Sequence, residues 1–336
     1  MPVPLKAPFT YFGGKSRVAE IVWRALGEPA RYIEPFFGSG AVLLARPNYN
    51  PLTHSEIVND LDGFICNVWR SLKYSANETA DYCDWPKSHA DLMARKKHLI
   101  EKEKYLLENL VKDPKWHDPE LAGYWIWAAG SSIGGVLASV NGIPSISDGG
   151  TGVHAYSYRR FSSRKQQTES DAIFHKSHSL YYTFGRLSER LRHVEVVNGS
   201  WDRVCGGNWQ GRRGTCGVFL DPPYGVQDIS HTLYRHDSLG IAQKACAWAK
   251  QKGSDPNFRI VIAGYEEHWS LIEAGWTAQR WSANGGYSNQ NKSGNPNKHR
   301  ECLYFSPHCL IHEIPEDLLA KLQKDDENED EEQTEE

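Results

Sequence analysis

Short apolar runs bounded by turn residues recur in the first and last thirds of the chain. They are RYIEPF (31–36), SEIVND (55–60), HVEVVNG (193–199), GVFL (217–220), FRIVIAGY (258–265) and RECLYFS (300–306). Runs of this length predict buried strands. Helical patterns follow several of them, as in AVLLARP, LDGFICNVWRSLK and AQKACAWAKQKG. Because strands that alternate with helices form mainly parallel sheets, the pattern predicts a doubly wound α/β fold.

The middle of the chain, residues 83–193, has a different texture and predicts a smaller inserted domain rich in helix and loop. A charged helical stretch, HADLMARKKHLIEKEKYLLENLVK, precedes the aromatic segment YWIWAAGSSIGG and a glycine-rich loop around SDGGTG. Between Asp148 and Glu169 the chain has no acidic residue. This segment holds Arg159, Arg160, Arg164 and Lys165, interleaved with Tyr156, Tyr158 and Phe161. Such a mixture suits phosphates and bases, and a solvated loop with a few arginines is the alternative.

The net charge of the whole chain is negative only because of its acidic C-terminal end. From Asp325 to Glu336 there are nine acidic residues and no basic one, and without them the net charge of −4 becomes +5. Such a composition cannot bury apolar surface, so residues 313–336 are expected to form a disordered acidic tail. The rest of the chain is mildly basic, which is compatible with nucleic acid.

Neither membrane insertion nor metal binding is expected. No apolar run approaches the ~20 residues that cross a bilayer, and the start MPVPLKAPFTYFGGK lacks the apolar stretch of a secretory signal. The seven cysteines are scattered, which fits a reduced compartment, and we expect a cytoplasmic protein. Cys302, His308, Cys309 and His312 lie close together, but no CxxC pair accompanies them, so no zinc site is expected.

The sharpest chemical signal is DPPY at 221–224, directly after the apolar strand GVFL. Ligands bind at the carboxyl ends of the strands in a parallel sheet. Two prolines there remove two N–H donors and keep their carbonyl acceptors beside the Asp221 carboxylate. This array suits the exocyclic amine of adenine or cytosine, which would donate to Asp221 and to the Pro222 carbonyl while Tyr224 stacks on a flipped base. A Pro-Pro turn with a capping aspartate is the alternative.

A second signal is EPFFGSG at 34–40, where Gly38 and Gly40 allow a tight turn close to a ligand. The dinucleotide pattern GxGxxG fails, because its third glycine would fall on Leu43. Asp60 follows twenty residues after Gly40 at the end of a predicted strand, where a carboxylate could accept both hydroxyls of a ribose. Asp62 is the rival for this role, and Asp60 is preferred because it lies nearer the strand end.

The third signal is TYFGGKS at 10–16. A phosphate-binding P-loop would need glycine at position 9, which is Phe9, and a strand immediately before it, so this function is not expected. Lys15 on the glycine turn could instead meet a carboxylate, and Tyr11 could lie against the methionine part of a cofactor.

Together these segments resemble the Dam-like, D12-class family of adenine-N6 DNA methyltransferases of the α group. PFTYFGGK, EPFFGSG, NDLD and DPPY occur in the family's order, and the resemblance covers about residues 8–75 and 195–305. It implies an S-adenosylmethionine-dependent methyltransferase fold. The catalytic domain would then comprise residues 1–82 and 194–312, and residues 83–193 would be the target-recognition domain.

The resemblance also implies residue roles. Asp221, Pro222, Pro223 and Tyr224 would hold the target base. Cofactor contacts would come from Tyr11, Lys15, Glu34, Pro35, Phe36, Gly38, Gly40, Asp60 and Asp221. Tyr234 and His236, in the loop TLYRHDS after DPPY, would join Arg159, Arg160, Arg164 and Lys165 at the DNA. Ser200 stands where the family often has an acid near the cofactor's adenine, so that contact is in doubt.

The implied activity is site-specific transfer of the methyl group of S-adenosyl-L-methionine to the N6 amine of adenine in double-stranded DNA by base flipping, without a metal. DPPY by itself leaves open cytosine N4 or an RNA base as the target, and an inactive DNA-binding relative is a further alternative. We expect a monomer in a bacterial or phage-infected cell, with a separate restriction endonuclease as a partner in one scenario. The Arg/Asn/Gly-rich hairpin of GATC-specific members is not recognisable, so GATC specificity is not expected.

Overall fold

The computed structural model describes residues 5–9, 15–132, 169–223, 238–265, 269–281, 301–320 and 322. Its strands are β1 (Arg31–Glu34), β2 (Ser55–Asp60), β3 (Val194–Asn198), β4 (Cys216–Leu220), β5 (Phe258–Tyr265), β6 (Thr277–Arg280) and β7 (Glu301–Phe305). Its helices are α1 (Ala19–Leu26), α2 (Ala41–Leu44), α3 (Gly63–Tyr74), α4 (Ala76–Cys83), α5 (His89–Leu110), α6 (Pro119–Ser131), α7 (Glu169–Leu191), α8 (Asp202–Cys205), α9 (Ser238–Lys252) and α10 (Trp269–Ile272).

The strands form a seven-stranded sheet in the order β3-β2-β1-β4-β5-β7-β6. β1 pairs with β4 and β4 with β5 in parallel, whereas β7 runs antiparallel to β5 and to β6. The register places Val218 beside Ile33 on one side and beside Ile260 on the other. The predicted α/β fold with a mostly parallel sheet is therefore confirmed. β6 was not predicted, because its residues alternate between exposed and half-buried positions and include few apolar side chains.

Continuous burial explains why the central strands read as unbroken apolar runs. Every residue of β1, β4 and β7 is buried, as expected for strands that are covered on both faces. Helix α1 packs against β4 and β5. Gly217 on β4 permits a close approach of the chain, since a Cβ atom there would lie 2.7 Å from the Cγ atom of Pro29.

The helices of the middle segment pack on one another and begin at capping residues. Helix α3 contacts α5, α6 and α7, and α4 contacts α6 and α7. Asp62, Ser88 and Asp118 cap α3, α5 and α6 by accepting hydrogen bonds from backbone amides of the first turn. Pro119 follows the last of these caps at a position where its missing N–H costs no helical hydrogen bond. This region therefore forms the helical layer that the charged and aromatic patterns of the sequence indicated.

The chain divides into two compact units. The first comprises Met1–Tyr11, Gly38–Gly40 and Val58–Arg203, and the second comprises Phe12–Phe37, Ala41–Ile57 and Val204–Glu336. The first unit contains α3 to α7 together with β3, and the second contains β1 and β4 to β7 together with α1 and α2. Residues 58–82 fall with the middle segment, because α3 packs against three of its helices. The domain boundaries at 82 and 193 stay a prediction.

The chain after β7 remains part of the folded body as far as Leu322. Ile314, Leu318 and Leu322 are buried, at a spacing of four residues that suits one face of a helix. Between them, Asp317 Oδ2 lies 2.8 Å from Arg24 Nη2 on α1. The predicted start of a disordered tail at residue 313 is thus wrong, because these apolar side chains find a buried position. Residues 323–336, which carry most of the acidic residues of the predicted tail, lie outside the described residues.

Candidate active site

The candidate site in the second unit lies where parallel strands end. β1 ends at Glu34 and β4 ends at Leu220, immediately before Asp221. Because β1, β4 and β5 are parallel, their carboxyl ends meet at one edge of the sheet. β7 runs the other way, so its first residue, Glu301, lies beside Tyr265 at the end of β5. The topology therefore collects acidic side chains from separate strands at a single edge.

Lys15 joins two of these carboxylates. Its Nζ atom lies 3.0 Å from Asp221 Oδ2 and 3.8 Å from Glu301 Oε2. The side chains of Lys15, Asp221 and Glu301 are 5 %, 22 % and 10 % exposed. Burial alone would lower the pKa of Lys15, but the charges of Asp221 and Glu301 outweigh this effect and raise the pKa. The prediction that Lys15 meets a carboxylate is confirmed, and the ammonium group is held in its charged form.

The two residues after Asp221 provide no backbone hydrogen-bond donor at the end of the strand. Pro222 is buried and Pro223 half-buried, and neither has a backbone N–H group. The carbonyl groups remain as acceptors next to the partly exposed Asp221 carboxylate. Tyr224, the last residue of the motif, lies outside the described residues.

Glu34 faces the interior. It is 3 % exposed, and the Tyr32 hydroxyl donates a 2.8 Å hydrogen bond to its Oε2 atom. Burial raises the pKa of Glu34 well above its ordinary value, and the charge of Asp221 acts in the same direction against the hydrogen bond from Tyr32. The predicted contact of Glu34 with a cofactor is not tested by this geometry. Of its predicted partners in the turn, Pro35 is buried and Phe36 half-buried.

In the first unit, Asp60 holds the glycine turn. The Gly38 amide donates to Asp60 Oδ2 at 2.8 Å, and the Asp62 amide donates to Asp60 Oδ1 at 2.9 Å. The indole N–H of Trp69 donates to the Gly38 carbonyl at 2.9 Å. Gly38 and Gly40 have φ values of 47° and 62°, which explains why the turn uses glycine at both positions. The carboxylate at the end of β2 is thereby fixed in place beside the turn.

The electrostatics of Asp60 differ from those of an ordinary surface aspartate. Burial raises the pKa of Asp60 to about 7, and the charge of Asp62 adds to the shift, while the amides of Gly38 and Asp62 oppose it. Asp62 itself caps α3 through its Oδ1 atom, which accepts from the Phe64 amide at 2.8 Å. The two rivals for a ligand-binding role therefore have distinct structural positions, and Asp62 is exposed at the start of a helix.

The end of β3 is tied to the end of β2. The Gly199 amide donates to the Asp60 carbonyl at 3.0 Å, and the Asn198 side chain donates to the same oxygen at 3.1 Å. The exposed Ser200 and the half-buried Trp201 follow directly. The doubtful contact of Ser200 with the adenine of the cofactor is not tested by this geometry.

Sequence reasoning missed Glu301, Tyr32 and Trp69. Glu301 opens a strand that is otherwise apolar, and a charged residue inside RECLYFS was a signal that something must compensate its burial. Tyr32 and Trp69 belong to apolar patterns, and nothing local distinguishes them from core aromatics. Several predicted residues lie outside the described residues, namely Tyr11, Arg159, Arg160, Arg164, Lys165, Tyr234 and His236.

The described residues show neither a candidate metal site nor a membrane-spanning helix. Among the described residues, no group of His, Cys, Asp or Glu side chains could hold a metal ion. Within the same ranges, no helix combines the length and the apolar character that crossing a bilayer requires.

Comparison with known families agrees with the motifs. Residues 11–120 match the model of the D12 class N6 adenine-specific DNA methyltransferases. The matched segment contains Lys15, the turn at 34–40 and Asp60, and it ends before DPPY. The resemblance predicted from the sequence is thereby confirmed for this segment, whereas residues 195–305, which the sequence also assigned to the resemblance, lie outside the match. A search of curated proteins found no match to the chain.

Proposed function

From the D12-class methyltransferase segment in the chain, we propose that this protein is a site-specific DNA methyltransferase that uses S-adenosyl-L-methionine. It transfers the methyl group to the N6 amine of an adenine flipped out of double-stranded DNA. The observation that carries the proposal is the Lys15–Asp221 pair, in which Asp221 directly follows a buried parallel strand and precedes two prolines. S-adenosyl-L-homocysteine is the expected product.

The residues at hand fit the methyl donor. S-adenosyl-L-methionine supplies a methyl group on a positively charged sulfur. Asp60 offers a carboxylate with about four lone-pair positions, and backbone amides use some of them, which leaves acceptor capacity for a ribose hydroxyl. The left-handed backbone at Gly38 and Gly40 lets the chain pass a ligand without a Cβ atom in the way. We assign Glu34, Pro35, Phe36 and Tyr11 to the same cofactor role.

Asp221 is the proposed catalytic residue. The amine of adenine is a weak nucleophile, because its lone pair is delocalised into the ring. Hydrogen bonds from its two N–H groups to the Asp221 carboxylate and to the Pro222 carbonyl favour tetrahedral geometry and localise the pair on nitrogen. Methyl transfer would form the nitrogen–carbon bond and break the sulfur–carbon bond of the donor, and the nitrogen would pass its surplus proton to water. Tyr224 is proposed to stack on the flipped base.

DNA contacts are proposed for the basic segment and for the loop after DPPY. Arg159, Arg160, Arg164 and Lys165 would neutralise phosphates, and Tyr234 and His236 would approach the target nucleotide. The basic charge of the chain without its acidic end supports this part of the proposal. We propose a monomer in the cytoplasm of a bacterial or phage-infected cell, either alone or paired with a separate restriction endonuclease.

The test is expression in a methylation-deficient bacterium, followed by DNA sequencing that reports modified bases. N6-methyladenine at one short motif supports the proposal and gives the specificity. Detection of N4-methylcytosine would mean that the target base is cytosine and not adenine. Unmodified DNA from a folded, cofactor-binding protein would point to RNA as the substrate or to an inactive relative.

Asp221→Ala should abolish methylation, because it removes the acceptor at the reacting nitrogen. Asp202→Ala, which removes an exposed carboxylate on α8, is the control and should leave methylation unchanged. Thermal unfolding and S-adenosylmethionine binding must show that the Asp221→Ala variant is folded. Turnover near the wild-type rate in that variant would rule out the assigned role of DPPY.

A further inference from the structure

Glu301 is a second buried acid beside the candidate catalytic pair, and the fold brings it there from a distant part of the chain. It is the first residue of β7 and pairs in register with Tyr265, the last residue of β5. β4 is parallel to β5, so it ends at the same edge of the sheet, one residue before Asp221. The antiparallel direction of β7 is therefore what places the Glu301 carboxylate near DPPY.

The Glu301 carboxylate is buried beside the Lys15 ammonium group. Its side chain is 10 % exposed, and its Oε2 atom has no hydrogen-bond partner among the described residues. A buried carboxylate oxygen in that state is costly. The attraction to Lys15, whose Nζ atom lies 3.8 Å away, offsets part of this cost. Burial raises the pKa of Glu301, Lys15 opposes the shift, and the charge of Asp221 adds to it.

Glu301 changes the charge balance of the site. Lys15 and Asp221 alone form a neutral pair, whereas the three ionised groups together carry a charge of −1. In the proposed reaction, positive charge moves from sulfur to the amine nitrogen that Asp221 holds, and it stays there until the proton leaves. Negative charge at this place stabilises the transition state more than the ground state, because the nitrogen becomes positive only as the new bond forms.

We propose that Glu301 is a positioning residue that shares the Lys15 ammonium and so keeps Asp221 available as an acceptor for the target amine. Without Glu301, Lys15 would lose one of the two carboxylates that attract it, so its ammonium group would be drawn more strongly to Asp221 and would compete with the amine for the Asp221 oxygens. This inference rests on the proposed function and adds a residue that the family match at 11–120 does not reach.

The experiment compares kcat, KM and cofactor affinity in matched variants. Glu301→Gln keeps the shape of the side chain and removes its charge. We expect kcat to fall by roughly ten- to a hundredfold, the size of one charge interaction lost at a few ångströms in partly screened surroundings. KM for DNA and the Kd for S-adenosylmethionine should stay at their wild-type values. Glu195→Gln, which removes an exposed charge on β3, is the control, and Glu301→Asp should retain more activity than Glu301→Gln.

A double-mutant cycle with Lys15→Met tests whether Glu301 acts through the lysine. The loss of kcat caused by Glu301→Gln should shrink when Lys15 is absent. An undiminished loss in the Lys15→Met background would overturn the proposal, as would wild-type kcat in Glu301→Gln or a loss confined to cofactor affinity. If Glu301→Gln does not fold, Glu301→Ser, which also removes the charge, decides, since a folded variant with wild-type kcat contradicts the inference and one with reduced kcat and unchanged Kd supports it.

Failure of the inference and failure of the proposed function give different results. A wild-type protein that methylates adenine, with a Glu301→Gln variant of equal kcat, overturns the role of Glu301 alone. A wild-type protein that methylates no DNA overturns the proposed function and the inference with it. Urea unfolding of the four members of the cycle shows independently whether Lys15 and Glu301 interact, because their effects on the unfolding midpoint are then non-additive.

Discussion

The pKa of Asp60 predicts that binding of S-adenosylmethionine weakens below neutral pH. In the proposed function, Asp60 accepts a hydrogen bond from the ribose, and its ionised form is the better acceptor. Burial and the neighbouring charge of Asp62 raise the pKa of Asp60 to about 7. Protonation therefore occurs near the pH of the assay. Ligand binding should favour the ionised carboxylate and should be lost as the pH falls through this value.

The magnitude follows from the ionised fraction. With a pKa of about 7, roughly nine tenths of Asp60 is ionised at pH 8 and about one tenth at pH 6. The apparent Kd equals the intrinsic Kd divided by the competent fraction. We therefore expect S-adenosylmethionine to bind about tenfold more weakly at pH 6 than at pH 8. An aspartate with the ordinary pKa would show almost no change over this range.

Calorimetric titration at pH 6, 7 and 8 measures the effect, and two variants test its origin. Asp60→Asn should bind weakly and without the tenfold change. Asp62→Asn removes the neighbouring charge, so the transition should move to lower pH. Asparagine is as good a helix cap as aspartate, so α3 should start at the same residue in that variant. A tenfold change that persists in Asp60→Asn, or affinity of the wild type that is constant with pH, would refute the reasoning.

Two further predictions concern DNA binding and stability. Neutralising Arg159, Arg160 and Arg164 together should weaken DNA binding and reduce the slope of log K against log salt concentration by about 2.7. An unchanged slope would show that these arginines belong to a solvated loop that does not contact DNA. Glu56→Gln should lower the free energy of unfolding by about 3 kcal/mol. It leaves the buried Arg46, whose Nη1 atom lies 3.1 Å from Glu56 Oε1, without its charged partner. Urea unfolding measures this loss, and a change below about 1 kcal/mol, the size expected of an exposed pair, would contradict it.

Local pattern was sufficient for much of the fold. SEIVND predicted a strand that has the same bounds as β2, and FRIVIAGY did so for β5. The signal is strong at these places because a strand in the interior of a parallel sheet is buried on both faces and carries few polar side chains. The weak strand β6 and the helix α7 were missed, since the first has few apolar residues and the second is interrupted by polar ones.

The sequence by itself located the glycine turn, predicted DPPY as the catalytic motif and favoured Asp60 over Asp62 as a ligand-binding residue, because turn chemistry and the position of a carboxylate after a strand are properties of a few adjacent residues. It also indicated that Lys15 would meet a carboxylate. Tertiary structure alone decided that this carboxylate is Asp221 and that Glu301 joins it. These residues lie far apart along the chain, and their distances depend on the order and direction of β4, β5 and β7, which local periodicity does not encode.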